Sequence, residues 1–300
     1  MPGLISVIIP TKNAGPSFEG LLSRLRFYKA VFEIIVVDSG SVDSTLHVAR
    51  KHFCKIIQIS PRSFSHGLVR NLGALKAKGS ILVFLTQDAL PVNDDWLSEL
   101  VAPLGQKVVA GAFSRQIPFK RTNPSESFFL SVKYPKASRT NFPSKTPSSR
   151  EVFFSNASSA IKKSVWKKIR FSKVLVSSED QFWAKKVLTS GFQTRYVASS
   201  KVFHSHDFGL LGVFKRYFDS GSALSKIYAG SKESSLMLFL KFTQGFIGEL
   251  FFLLKKHPFS LPYAFVYNFL KVAGLFCGKF HFLFPVFLKR RMSTVPYFWK

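Results

Sequence analysis

The sequence predicts an α/β fold with a mostly parallel central sheet and flanking helices. Three observations carry that prediction. Apolar runs and helical spacings alternate over the first hundred residues. The runs are continuous, as in parallel strands buried on both faces. One of them, Ile81–Leu85, leads directly into Thr86-Gln87-Asp88-Ala89. Ligands of open α/β sheets sit beyond the carboxyl ends of such strands.

Each element has its own signal. Residues 4–9 are an apolar run ended by Pro10. Residues 17–27 place Phe18, Leu21, Leu22 and Leu25 at helical spacing. Residues 33–37 form a second strand ending at Asp38. Asp43-Ser44-Thr45 reads as a helix start, because these side chains cap free amides. Residues 55–59 are a third strand, 68–78 a helix stopped by Gly79, and 95–104 a helix after the fourth strand. This rhythm implies right-handed crossovers. Residues 115–150 lose the pattern and read as a long Pro-, Ser- and Lys-rich loop. Order returns over 152–168, in a helix from 178 to 188 and in a short strand at 194–197. There is no repeat at a fixed period.

Composition narrows the partners. Lys and Arg number 43 against 16 acids, a net +27, which attracts polyanions. No helix-turn-helix, zinc-knuckle or RNA-recognition signature accompanies that charge, so nucleic acid is not expected as a partner. Cys54 and Cys277 make no disulfide framework and fit a reduced, cytoplasmic setting. Met1-Pro2-Gly3 runs straight into a strand, which predicts no signal peptide. The last segment, 232–300, has ten Lys/Arg, two acids and abundant Phe. Such faces predict helices lying on an anionic membrane surface. The division expected is a catalytic domain over 1–230 and a basic helical region over 231–300.

Four groups bear chemistry. Pro10-Thr11-Lys12-Asn13 and Asp38-Ser39-Gly40-Ser41 follow buried strands, and a carboxylate there can accept from a pyrimidine N–H. Arg70, in Ser65–Ala74, offers two donors to diphosphate oxygens. Asp88 can hold Mg²⁺ or Mn²⁺ together with phosphate oxygens. Glu179 and Asp180 open a helix, whose N-terminus keeps acids ionised, and His204 and His206 follow about 25 residues later. Each signal alone has an ordinary structural reading.

Taken in order, the motifs IIPTKNAG (8–15), VVDSGSVDST (36–45), FSHGLVRNLGA (64–74), VFLTQDALP (83–91) and SSEDQFWAKK (177–186) resemble those of family 2 glycosyltransferases. The third and fourth are similar to a bacterial rhamnosyltransferase branch. The resemblance implies a GT-A fold, a Rossmann-like sheet with flanking helices, extended here by a C-terminal helical membrane-associated segment. It implies an inverting transfer of a sugar, rhamnose from dTDP-rhamnose, to a cell-surface polysaccharide or polyprenyl-diphosphate-linked glycan. The alternatives are a UDP-hexose donor or a non-catalytic sugar-nucleotide-binding protein. It assigns Pro10, Thr11, Asn13, Asp38, Arg70, Gln87 and Asp88 to the nucleotide sugar. Asp180 becomes the base and Glu179 its companion. Asp88 and His204, or His206, become metal ligands, with Thr86 standing where the family's first metal acid lies. Asn156 and Trp183 are assigned to the acceptor. The enzyme would be peripheral on the inner face of the cytoplasmic membrane, in an oligomeric state the sequence leaves open.

Overall fold

The computed structural model describes residues 4–28, 32–206, 208–228 and 235–300, with residues 32 and 235–242 described by backbone alone. The first half runs β1 (Ile5–Thr11), α1 (Ser17–Arg26), β2 (Phe32–Asp38), α2 (Thr45–Lys51), β3 (Lys55–Gln58), α3 (His66–Lys76), β4 (Ile81–Leu85), β5 (Leu90–Pro91), α4 (Trp96–Val101) and β6 (Val109–Ile117). It continues with α5 (Pro124–Lys133), β7 (Arg139–Asn141), β8 (Ser158–Lys162), α6 (Lys163–Lys168), α7 (Glu179–Thr189), β9 (Gln193–Phe203) and α8 (Leu210–Ile227). The tail is α9 (Ser235–Lys256), α10 (Leu261–Lys279) and α11 (Val286–Met292).

Among the described residues nine strands form one sheet, ordered β3-β2-β1-β4-β8-β6-β9-β5, with β7 also beside β9. The pairings among β3, β2, β1 and β4 are parallel. β8 is antiparallel to β4 and β6, and β9 is parallel to β6 but antiparallel to β5 and β7. The parallel rhythm read from the sequence therefore covers the first half, and mixed pairing completes the sheet.

Alternate strand residues face opposite layers. Val7, Val36 and Val83 pack with Phe18, Leu22 and Trp96 from α1 and α4. Ile8, Val37 and Phe84 pack with Val69, Trp166 and Trp183 from α3, α6 and α7. Covering both faces is why these strands have no polar alternation. The glycines of 64–74 serve this packing. A Cβ on Gly73 would overlap Ile8, and one on Gly67 would overlap the carbonyl of Ser172.

Two expectations change. Residues 115–150 are not one loop, because they contain the end of β6, α5 and β7. Asn123 caps α5, its Oδ1 accepting from the Ser125 N–H at 2.9 Å, and Pro124 occupies the first turn. β9 is longer than the strand expected at 194–197. Its polar Ser200 disguises it, because that hydroxyl is buried in a network with Ser114 and the Trp96 carbonyl.

The tail packs on the catalytic layers. Gly274 and Gly278 of α10, with Gly221 of α8, let the two helix backbones meet so closely that any Cβ would strike a carbonyl of the facing helix. Tyr267 of α10 donates to Glu126 of α5 at 2.9 Å. Ser293 and the Thr294 N–H donate to Asp219 of α8 at 2.6 and 2.8 Å. The junction expected at 230/231 lies outside the described residues.

Gly73→Val should force α3 away from β1. Overpacking of this kind costs about 1–3 kcal/mol, to be read as a lower urea midpoint with an unchanged slope.

Candidate active site

Strand ends and the turns after them meet along one rim. β1 ends at Thr11, β2 at Asp38 and β4 two residues before Gln87. Thr86 N–H donates to the Ala157 carbonyl at 3.1 Å, which brings the turn before β8 beside Asp88. That turn receives the first residues of α7: the Asn156 N–H donates to Asp180 Oδ2 at 3.0 Å. Residues 88 and 180, far apart in sequence, are thus brought to the same rim of the sheet.

The metal-binding side is a triad. Asp88 Oδ1 lies 3.4 Å from His204 Nε2, and Asp88 Oδ2 lies 3.6 Å from His206 Nδ1. One ligand atom from each residue falls within 4.8 Å of the others. His204 Nε2 is buried without a hydrogen-bond partner. Its Nδ1 faces Gln116 Oε1 at 2.8 Å. An amide oxygen only accepts, so Nδ1 donates to it, which aims Nε2 toward Asp88. Gln116 is itself fixed, its Nε2 donating to Tyr134 Oη at 2.6 Å and Ser155 Oγ at 2.8 Å. Burial and the charge of Arg216 push His206 down to about 3, so it is a neutral imidazole. Contacts with His204 and His206 outweigh burial and keep Asp88 ionised, well below the usual carboxylate range. One carboxylate and two imidazoles suit a divalent cation such as Mn²⁺. Both histidines belong to the cluster, so geometry does not favour His204 alone.

The acid pair at the start of α7 is asymmetric. Glu179 is buried and paired with Arg70 at 3.0 Å, and it accepts from Asn156 Nδ2 at 3.2 Å. Burial opposes its ionisation, but Arg70 and His66 hold its carboxyl below the usual range. Asp180, beside that charge, is pushed up to about 7 by burial and by Glu179. An acid poised there is a competent proton acceptor near neutral pH. Ser178 supports the entry to the helix with a left-handed backbone at φ +56°.

Several sequence assignments change on this geometry. Asp38 has its carboxylate engaged by its own turn. It is wholly buried, and its carboxylate accepts from Gly40 N–H at 3.0 Å, Ser41 N–H at 2.9 Å, Ser41 Oγ at 2.5 Å and Thr11 Oγ1 at 3.2 Å. Its acceptor capacity shapes the turn after β2, and Thr11 shares that work. Arg70 is turned inward to Glu179 and does not project from the rim as a free clamp. Trp183 is fully buried, its indole N–H donating to the Ile169 carbonyl at 2.9 Å. It is a core residue and not an acceptor contact. Asn156 is also buried, and its groups position Asp180 and Glu179 from behind.

Other assigned residues brace the rim. Gln87 Oε1 accepts from Lys12 N–H at 2.8 Å and its Nε2 donates to the Lys12 carbonyl at 3.2 Å, joining the β1 and β4 turns. Asn13, at φ +47°, accepts from Val42 N–H at 2.9 Å and donates its own N–H to Ser41 Oγ at 2.8 Å. Pro10 is the half-buried residue before Thr11.

Two residues escaped the sequence reading. Gln116 gave one faint signal, a polar residue two places after Ser114 and so on the same face of a strand. Arg216 gave none. It follows His206 by ten residues on α8, exposed, with its guanidinium 5.1 Å from the Phe208 ring. Phe208 in turn stacks on His206 at 4.9 Å. Arg216 thus brings a cation beside the triad, and among the described residues no carboxylate pairs with it.

Comparison with known proteins agrees with this layout. The signature described as glycosyl transferase family 2 matches residues 6–168. The chain is 30% identical over 310 residues to the O-antigen chain rhamnosyltransferase RfbN of Salmonella typhimurium, covering 98% of this chain and 96% of that protein. It is also 30% identical to the O-antigen chain rhamnosyltransferase WbaN of Salmonella anatum, covering 98% and 95%. Its fold is similar to the mannosyltransferase PcManGT of Pyrobaculum calidifontis, solved with GDP-Man and Mn²⁺, with a TM-score of 0.59, 17% identity, and 99% and 85% of the two chains covered. Residues 1–349 of TarS from S. aureus, solved with UDP-GlcNAc, give a TM-score of 0.55 at 17% identity over 93% and 91%.

Gln116→Leu should free His204 to flip and to change tautomer. Loss of such a partner weakens metal affinity about 10–100-fold, measured by titration calorimetry with Mn²⁺.

Proposed function

Because this chain belongs to glycosyl transferase family 2 and is a glycosyltransferase, we propose that it transfers rhamnose from dTDP-rhamnose, with inversion, to a growing O-antigen or related surface polysaccharide. The observation that supports the mechanism is the hydrogen-bonded link that brings Asp180 to the same rim as the Asp88, His204 and His206 cluster. Support for the sugar comes from the two Salmonella relatives, which match over nearly their whole length.

Asp180 takes the proton of an acceptor hydroxyl. The oxygen then bonds to the anomeric carbon from the face opposite the diphosphate, and the bond from that carbon to the diphosphate oxygen breaks with its electrons. Mg²⁺ or Mn²⁺, held by Asp88, His204 and His206, would supply positive charge to the departing diphosphate. Arg216 replaces Arg70 as the protein's own cation toward those oxygens, because Arg70 is committed to Glu179. Glu179 does not touch the reacting atoms in this scheme. Its fixed charge raises the proton affinity of Asp180. Thr11, Asn13 and Gln87 hold the turns that line the nucleotide end. We assign the acceptor to the polyprenyl-diphosphate-linked class, met by a peripheral enzyme at the inner face of the cytoplasmic membrane.

A panel of nucleotide sugars with Mg²⁺ or Mn²⁺ tests the donor. Turnover should be greatest with dTDP-rhamnose, and preference for a UDP-hexose overturns that choice. The active form of Asp180 is the carboxylate. kcat/KM should therefore climb about tenfold per pH unit below about 7 and level off above it. Asp180→Asn should lose at least about 100-fold in kcat at every pH, and a rate equal to the parent would remove the base assignment.

A further inference from the structure

Helix α10 is inside out. Its buried side carries Ala264, Tyr267, Asn268, Lys271, Gly274 and Gly278. Its exposed side carries Phe265, Phe269, Val272 and Phe276, with Phe269 71% and Phe276 63% accessible. A helix on a water-facing surface has the reverse arrangement. Small residues in contact and apolar residues outside are the pattern of helices packed in lipid. The glycines explain the inner side, since Gly274 and Gly278 sit against α8 with no room for a side chain. The polar groups there are engaged: Asn268 Nδ2 donates to Glu249 at 2.7 Å, Tyr267 to Glu126 at 2.9 Å, and Lys271 Nζ lies 3.2 Å from the centre of the Phe129 ring.

The outer side continues beyond α10. Phe246 of α9 meets Phe265 at 5.6 Å, so the exposed faces of the two helices adjoin. Phe251 is 70% exposed, Phe259 at the connecting turn 99% and Phe282 66%. Exposed Lys255, Lys256, Lys279, Arg290 and Arg291 stand at the ends of these helices. Apolar faces edged by cations match a bilayer whose headgroups are anionic.

By length and composition Pro258–Lys279 could cross a membrane. The packing argues against it. α10 is held along α8 from Phe214 to Ser222, and α8 carries Asp219 and the exposed Arg216. A crossing α10 would draw those charges into hydrocarbon, where each costs several kcal/mol.

We propose that α10 lies in the plane of an anionic bilayer as a one-leaflet anchor. Phe251, Phe259, Phe265, Phe269, Phe276 and Phe282 enter the acyl boundary, and the flanking lysines and arginines meet lipid phosphates. This deepens the membrane placement proposed above, and its main readout, flotation, does not depend on the transfer reaction.

The full chain is mixed with vesicles of phosphatidylcholine containing or lacking phosphatidylglycerol, and the bound fraction is measured by flotation. Binding should require phosphatidylglycerol. It should fall at least tenfold for the triple change Phe265→Asp, Phe269→Asp and Phe276→Asp, with the far-ultraviolet spectrum and turnover of a water-soluble acceptor kept. Lys279→Glu with Arg290→Glu and Arg291→Glu is the second variant, and it should weaken binding without touching the apolar face. Side is read from single cysteines at Ser260 and Lys279, with Cys54 and Cys277 changed to Ser, in sealed inside-out membrane vesicles. Labelling of both positions from outside is expected. Labelling of one only, which means a crossing helix, overturns the proposal. Unchanged flotation of both charge variants also overturns it, as does a dimer that the triple variant splits while flotation persists. Lost turnover with intact flotation would instead count against the transfer scheme.

Discussion

Arg70 and Glu179 are buried together, and neither charge could be there without the other. Removing one partner of such a pair leaves a stranded ion, at a cost of about 3–5 kcal/mol. The pair joins α3 to the start of α7, and Asn71 strengthens the same seam by holding Phe171 and the Trp166 indole. Once Glu179 is pinned as an anion, Asp180 next to it must bind its proton more tightly. A structural ion pair thereby sets the chemical character of the residue at the rim.

The two chemical ends of the rim are mechanically linked. From the triad, His204 leads to Gln116, and Gln116 to Ser155. Ser155 adjoins Asn156, which holds both acids. All of these contacts are buried or nearly so, and hydrogen bonds are stronger in a low-dielectric interior than in water. The spacing between the Asp88, His204 and His206 cluster and the acid pair is therefore set by hydrogen bonds. Preorganisation of this sort is where enzymes gain most of their electrostatic advantage.

Much of this was legible in the sequence, for physical reasons. The strands 81–85 and 33–37 are buried on both faces, so their apolar runs could mean little else. Glycines 67 and 73 sit where backbones touch. Asp88, Asp180, His204 and His206 stood out because carboxylates and imidazoles at strand and helix ends invite chemistry. The misreadings share one cause. Asp38, Asn156 and Trp183 have the right chemistry and the right sequence neighbourhood, but their functional atoms point inward. Direction of a side chain is set by packing that a linear pattern does not encode. Ser200 and Ser114 misled in the opposite sense, being polar residues that satisfy each other inside the core. Arg216 was invisible because its importance is an accident of where α8 begins.

The glycine seam between α8 and α10 bears on how the molecule can be divided. α8 starts four residues after His206 and shares a whole side with the tail. Cutting the chain near 230 would uncover Gly221 and Phe218, unpair Asp219 from Ser293 and Thr294, and strip Trp299 from Phe218. Excision of the greasy segment is thus no route to a well-behaved soluble fragment. The tail and the α/β layers fold as one object, and an ortholog that had lost the one would have to rebuild part of the other.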